Sequence, residues 1–296
     1  NTTADDNTAV GYAALNVTTT GAANVAVGKF ALLANTEGTN NVAIGVSALA
    51  ADTLGSRNTA IGAFTLDAQN FTGATNSNNT ALGYAAGSAV STGIDNTLLG
   101  ARAGMVLSDA DYNVAVGMGA LVADTKGNRT TAIGTGALKV QNFTSVTNSD
   151  NVAVGYDAGR ALQTALKQTY MGNFAGKTQT TGDVNTYIGY DSGSLMTTGA
   201  KNTILGGYNG NAGGLDIRTS SNNIVLSDGD GNPRAWANST TWRFMGPSYS
   251  QALEFDGSQF YPLTDNAVKN GYPQNRWTIV YATTGTINTS DQELKQ

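Results

Sequence analysis

One short motif closes on Gly11, Gly28, Gly45, Gly62, Gly83, Gly100, Gly117, Gly134, Gly155, Gly172, Gly189 and Gly206, as in Asn24-Val-Ala-Val-Gly28 and Asn58-Thr-Ala-Ile-Gly62. The steps between these glycines are 17, 17, 17 and 21 residues, the same four again, and then three more of 17. A further 21 lands on Ser227 in Asn223-Ile-Val-Leu-Ser227, a last copy with Ser for Gly. The longer turns share sequence as well: QNFTGATNS at 69–77 returns as QNFTSVTNS at 141–149. A repeat of 17 residues is too short for a helix-turn-helix unit. It suits one coil of a β-solenoid, with two short strands and two turns expected per coil. Thirteen coils stacked at about 4.8 Å make a rod of about 60 Å.

Within the motif, Asn is followed by three apolar or β-branched positions and then by Gly. Side chains alternate along a strand, so three such positions in a row predict burial on both faces. One face packs inside its own coil. The other needs a cover, and a rod that repeats this demand in every coil predicts parallel chains packed around a common axis. Gly supplies the turn without a Cβ. Asn is expected either to hydrogen-bond local backbone or to stack as an amide ladder between coils.

Composition excludes several function classes. Charged residues are 12% of the chain, against roughly 25% in an average globular protein. With 16 Lys and Arg against 21 Asp and Glu and no basic cluster, the footprint of a nucleic-acid binder is missing. There is no His and no Cys, which removes the commonest general base, the thiol nucleophile, the usual zinc ligands and disulfides. No cofactor is expected. No apolar run approaches the roughly 20 residues of a membrane span, so membrane insertion is not expected. The chain opens inside the repeat at NTTADDN, which reads as a fragment or processed product.

The NTAIG-xx-AL pattern resembles the head repeats of trimeric autotransporter adhesins, in which three chains of left-handed parallel β-roll pack side by side, and the related arrays of phage tail fibres. That resemblance covers about residues 1–226. From about Gly213 the pattern dissolves, and Trp236, Trp242 and Trp277, all the tryptophans of the chain, follow with Phe244, Phe255, Phe260, Tyr261 and Tyr281. Short alternating strands are expected here, separated by turns such as DGDGNP. SNNIVLSDGDGNPRA and NRWTIVYATTGTINTSDQELK are similar to the end of phage tail fibres and tailspikes, just before an endosialidase-type intramolecular chaperone. In that family the chaperone folds the trimer and then cuts itself away between a Ser and an Asp. The matching pair is Ser290-Asp291, and Lys295 matches the Lys that partners the serine. A partly desolvated Lys can deprotonate a serine hydroxyl without help from histidine. The chaperone body itself is expected after Gln296.

The expected organisation is therefore a left-handed parallel β-solenoid of about 13 coils over 1–212. A β-rich tip over 213–289 contains the last degenerate coil, and 290–296 is the start of the chaperone. The function implied is a homotrimeric host-recognition fibre on the extracellular surface of a phage tail or related injection particle. Its implied partners are upstream fibre or tail proteins and a host surface glycan or protein. An adhesin head and a polysaccharide-cleaving fibre are the alternatives. Gly172-Asn-Phe-Ala-Gly-Lys177-Thr178 is one residue short of a phosphate loop and lies in register with copies that lack the Lys. Asp228-Gly-Asp230-Gly-Asn232 has the look of a calcium loop, but no Glu follows at the needed distance, so a hairpin turn is expected. The late aromatics are expected either to stack on sugars or to fill an interface between chains, with the second favoured by the area that aromatic rings bury.

Overall fold

A computed structural model describes residues 3–246, 252–257 and 260–262. Among them the chain is all β, without a helix. Thirteen short strands, one per coil, stack in parallel: β1 (Thr8–Val10), β2 (Val25–Val27), β3 (Val42–Ile44), β4 (Thr59–Ile61), β5 (Thr80–Leu82), β6 (Thr97–Leu99), β7 (Val114–Val116), β8 (Thr131–Ile133), β9 (Val152–Val154), β10 (Thr169–Met171), β11 (Thr186–Ile188), β12 (Thr203–Leu205) and β13 (Ile224–Ser227). Register never slips: Ala9 pairs with Ala26, Ala26 with Ala43, and Ala43 with Ala60. The 21-residue steps preserve it, with Ala60 against Ala81 and Ala132 against Ala153, because the four extra residues are taken up in the turn.

One strand per coil corrects the expected two. The remaining residues of each coil turn too sharply for extended backbone, since left-handed residues recur at fixed phase. In the fourth coil these are Arg57 (φ 63°), Phe64 (φ 59°) and Leu66 (φ 49°). Hydrogen bonds to the next coil still hold this part of the chain, as in Leu32 N–H to the Ala48 carbonyl at 3.0 Å and Leu49 N–H to Thr65 at 3.0 Å. Only beside the longer turns do further bridges form, Gly55–Ser56 with Thr75–Asn76 and Gly127–Asn128 with Thr147–Asn148 in parallel, and Asn211–Ala212 with Leu215–Asp216 antiparallel.

The core is a column inside the coils. The middle residue of each strand from Ala26 to Val225 points inward and is fully buried. In most coils that residue is Ala, and in six of them a buried Leu stands four positions after the glycine, such as Leu32, Leu49 or Leu121. Where the middle residue is large, the opposing position shrinks. Gly104 sits against Leu98, Gly176 against Tyr170 and Gly193 against Tyr187, and a Cβ at any of them would come within 2.6–2.8 Å of that side chain. Where both positions of one coil are small, side chains of adjacent coils fill the column, as Leu98 and Leu66 do beside Gly87, in keeping with close packing. Burial raises the pKa of the Tyr170, Tyr187 and Tyr208 hydroxyls, which stay neutral and donate to Gln168 Oε1, Gln179 Oε1 and the Leu215 carbonyl.

The asparagines opening each motif bind the backbone of the next coil. Asn24 Nδ2 donates to the Gly38 carbonyl at 2.8 Å, and Asn24 Oδ1 accepts the N–H of Asn41 at 2.9 Å. Asn41, Asn79 and Asn96 repeat both bonds. Each amide therefore satisfies two backbone groups that a one-strand coil would leave buried and unpaired.

Candidate functional site

After β13 the topology changes. β14 (Pro233–Ala237) runs antiparallel to β13, and β15 (Trp242–Met245), β16 (Ala252–Phe255) and β17 (Phe260–Pro262) continue as a meander. The link from β13 to β14 is the DGDGNP stretch, a hairpin turn as expected. Asp228 accepts the backbone N–H of Asn232 at 2.9 Å and holds Arg234 at 2.6 Å, so its carboxylate is already engaged. The Asn232 N–H and Arg234 together hold the Asp228 pKa below its ordinary value.

Because the meander extends the solenoid sheet, the two faces of the strands carry through it. Inward from β13 comes Val225, paired with Trp236, then Arg243, then Glu254. Arg243 lies 5.1 Å over the Trp236 ring and binds Glu254 at 2.6 Å. Trp236 packs on the end of the core column.

The outward face carries one apolar column along its whole length, beside a column of Thr, Val and Ile. Within each coil the residues on either side of the inward one point away from the core. The residue before the glycine is an exposed Val, Ile, Leu or Met in many coils, from Val10 (57%) through Leu82 (48%) and Met171 (43%) to Leu226 (44%). On the meander the same face presents Ala235 and Ala237, then Phe244 and Trp242, then Leu253 and Phe255, in register with Leu226 and Ile224. Trp242, Phe244 and Phe255 are 47%, 53% and 41% exposed. Apolar surface repeated at every coil and ending in three aromatic rings far exceeds the few hundred Å² that a soluble monomer presents. Chemically this face can be buried against another surface.

The sequence found the stripe from its three apolar positions, but not that Trp242, Phe244 and Phe255 continue it. That placement depends on the register of β13 with β14, which contains an irregularity between Leu226 and Ser227. Ser290, Asp291 and Lys295, the expected self-cleavage residues, lie outside the described residues, as do Trp277 and Tyr281. Among the described residues no group of three or more acidic side chains is close enough to hold a metal ion, and no helix is long and apolar enough to cross a membrane.

Residues 235–289 match the family model for the catalytic domain of bacteriophage endosialidase. The matched stretch starts within β14 and ends immediately before Ser290. No curated protein matches the chain, and no solved structure does. A parallel β-solenoid followed by an endosialidase-type C-terminal region fits a phage tail fibre.

Proposed function

We propose that this chain is a rigid segment of a phage tail fibre, that three copies associate in parallel through the apolar outer face of the sheet, and that the assembly contacts the host surface from the outside of the particle. The observation carrying this reading is the continuity of one apolar face from the first coil into the segment that matches the endosialidase family. Solenoid coils supply length and stiffness. The aromatic end of the stripe widens the contact where coils cease. These side chains are already about half covered, so completing their burial contributes about 1 kcal/mol each, part of the gain for full burial, and the stripe of coils favours association by their sum.

The match at 235–289 favours the fibre over an adhesin head, since the family it names belongs to bacteriophages. In a longer product the reading also assigns self-cleavage to Ser290 as nucleophile at its bond to Asp291, with Lys295 taking the hydroxyl proton. Light scattering tests the assembly: a trimer is expected at micromolar concentration, and Leu82→Asp with Ile188→Asp is expected to break it into monomers. A wild-type chain that stays a folded monomer overturns the reading.

A further inference from the structure

On the wall that follows the glycine turn, an open groove of about 520 Å³ runs across coils five to nine. Its ends are marked by Tyr84 and Tyr156, exposed at 54% and 48%. These two residues hold the same position in coils four apart, so their rings lie about 19 Å from one another along the rod. Each ring is braced edge-on by a phenylalanine of a neighbouring coil, Tyr84 by Phe64 at 6.1 Å and Tyr156 by Phe174 at 5.4 Å. Braced, exposed aromatic faces are suited to stacking on flat apolar surfaces such as the C–H face of a sugar ring.

Two positions of the lining carry no side chain. Gly119 and Gly136 occupy a left-handed position two residues after the motif glycine, with φ 63° and 71°. The backbone does not demand glycine there, since Phe30, Ser47, Phe64 and Arg102 hold the same position in other coils at φ 54–63°. A Cβ on Gly119 would meet nothing within 4 Å. Gly119 leaves space rather than permits a turn, while at Gly136 the Asp157 carboxylate occupies the place a Cβ would take.

Charge sets the kind of occupant. The chain has a net charge of −5 and few charged residues, yet Arg102, Lys139 and Arg160 all line this groove. Arg102 and Lys139 make no ion pair among the described residues. Arg160 reaches Asp157, the only carboxylate lining the groove among the described residues, at 3.7 Å with its side chain 46% exposed. On a protein that otherwise repels anions, this is a local surplus of positive charge framed by two stacking platforms.

We infer that this groove binds a linear polysaccharide bearing carboxylates, with Tyr84 and Tyr156 stacking on sugar rings at its two ends and Arg102, Lys139 and Arg160 pairing with carboxylates between them. The inference deepens the reading of a host-contacting fibre and rests on it. It requires this wall, unlike the apolar sheet face, to remain open in the assembly.

The test is affinity electrophoresis of the full chain through gels containing polysialate, polygalacturonate, hyaluronate or uncharged dextran. Retardation is expected in at least one carboxylated gel and not in dextran. Arg102→Glu with Lys139→Glu, and separately Tyr84→Ala with Tyr156→Ala, should each weaken it tenfold or more at unchanged thermal midpoint. Lys201→Glu, a cation outside the groove, should leave it unchanged. Absence of retardation in every gel overturns the inference, as expected if copies of the chain pack through this wall. So does retardation in dextran alone, or an equal loss with Lys201→Glu. Adsorption of labelled protein to encapsulated bacteria is followed in parallel. Variants that bind cells as well as the wild type does, while losing retardation, sink the groove as the contact and leave the fibre reading standing. A wild type that is retarded yet adsorbs to no cell supports the groove and sinks that reading.

Discussion

The indole Nε1–H of Trp236 donates to Asn223 Oδ1 at 3.1 Å. Asn223 opens the last coil, and its backbone N–H is accepted by Asn202 Oδ1 at 2.9 Å, continuing the bond made at the preceding coils. Every earlier asparagine of this kind passes its own Oδ1 to the coil that follows. Asn223 has no following coil, and Trp236 on the antiparallel β14 supplies the missing donor. Trp236→Phe keeps a ring under Arg243 and removes only that donor. A loss of about 1–3 kcal/mol is expected, the range for a buried acceptor left unpaired. Hydrogen exchange should accelerate first at Ile224–Ser227, and a uniform change along the rod would argue against a cap.

Gly83 and Tyr84 are neighbours with opposite tolerance. Gly83 has φ 132°, and a Cβ there would lie 2.6 Å from the Gly100 carbonyl carbon of the next coil. Both the conformation and the stacked backbone exclude a side chain. Gly83→Val should therefore lower stability by several kcal/mol or prevent folding. Tyr84→Ala removes an exposed ring and should change the thermal midpoint little. Equal losses in the two variants would contradict this placement.

Asp52 is fully buried among Gln69 Nε2 at 2.6 Å and the Gly55 N–H at 3.0 Å. Burial outweighs these donors and raises its pKa above the ordinary 3.8. Between that value and the raised one, the folded chain holds more protons than the unfolded chain. The contribution of Asp52 to stability is thus greatest in acid and declines as pH rises through this window. Asp52→Asn removes that slope, whatever constant offset the lost Gln69 contact adds. Denaturant midpoints of the two proteins measured from pH 3 upward should diverge, and parallel curves would refute the assignment.

At Thr130 the asparagine column is interrupted. Asn113 Oδ1 still accepts the Thr130 N–H at 2.9 Å, but Asn113 Nδ2 is buried without a partner. The N–H of Asn151 reaches only Ser149 Oγ, at 3.4 Å. Four coils earlier the equivalent Asn58 gives Asn79 N–H an acceptor at 3.0 Å. Thr130→Asn should restore this bond and stabilise the rod by about 1 kcal/mol. A calorimetric midpoint that falls would show that Thr130, whose hydroxyl is 2.6 Å from Ser149 Oγ, is the better residue at this place.

The sequence alone determined the coil. In a parallel stack held in register, residues 17 or 21 apart are neighbours in space, so sequence period and contact are the same information. The glycine spacing, the inward middle residue and the need to cover the outer face could be read without coordinates. The replacement of Leu by Gly104, Gly176 and Gly193 in the coils of the enlarged Leu98, Tyr170 and Tyr187 was also legible in principle, as paired changes at fixed phase. Tertiary structure decided the rest. That each coil has one strand follows from left-handed residues such as Phe64 and Leu66, types that carry no turn signal of their own. The shared face of Leu226, Phe244 and Phe255 depends on antiparallel register, which a turn and one irregularity set and no period reports. The groove between Tyr84 and Tyr156 is open at Gly119 and holds the Asp157 carboxylate against Gly136, and only coordinates tell such glycines from those the backbone requires.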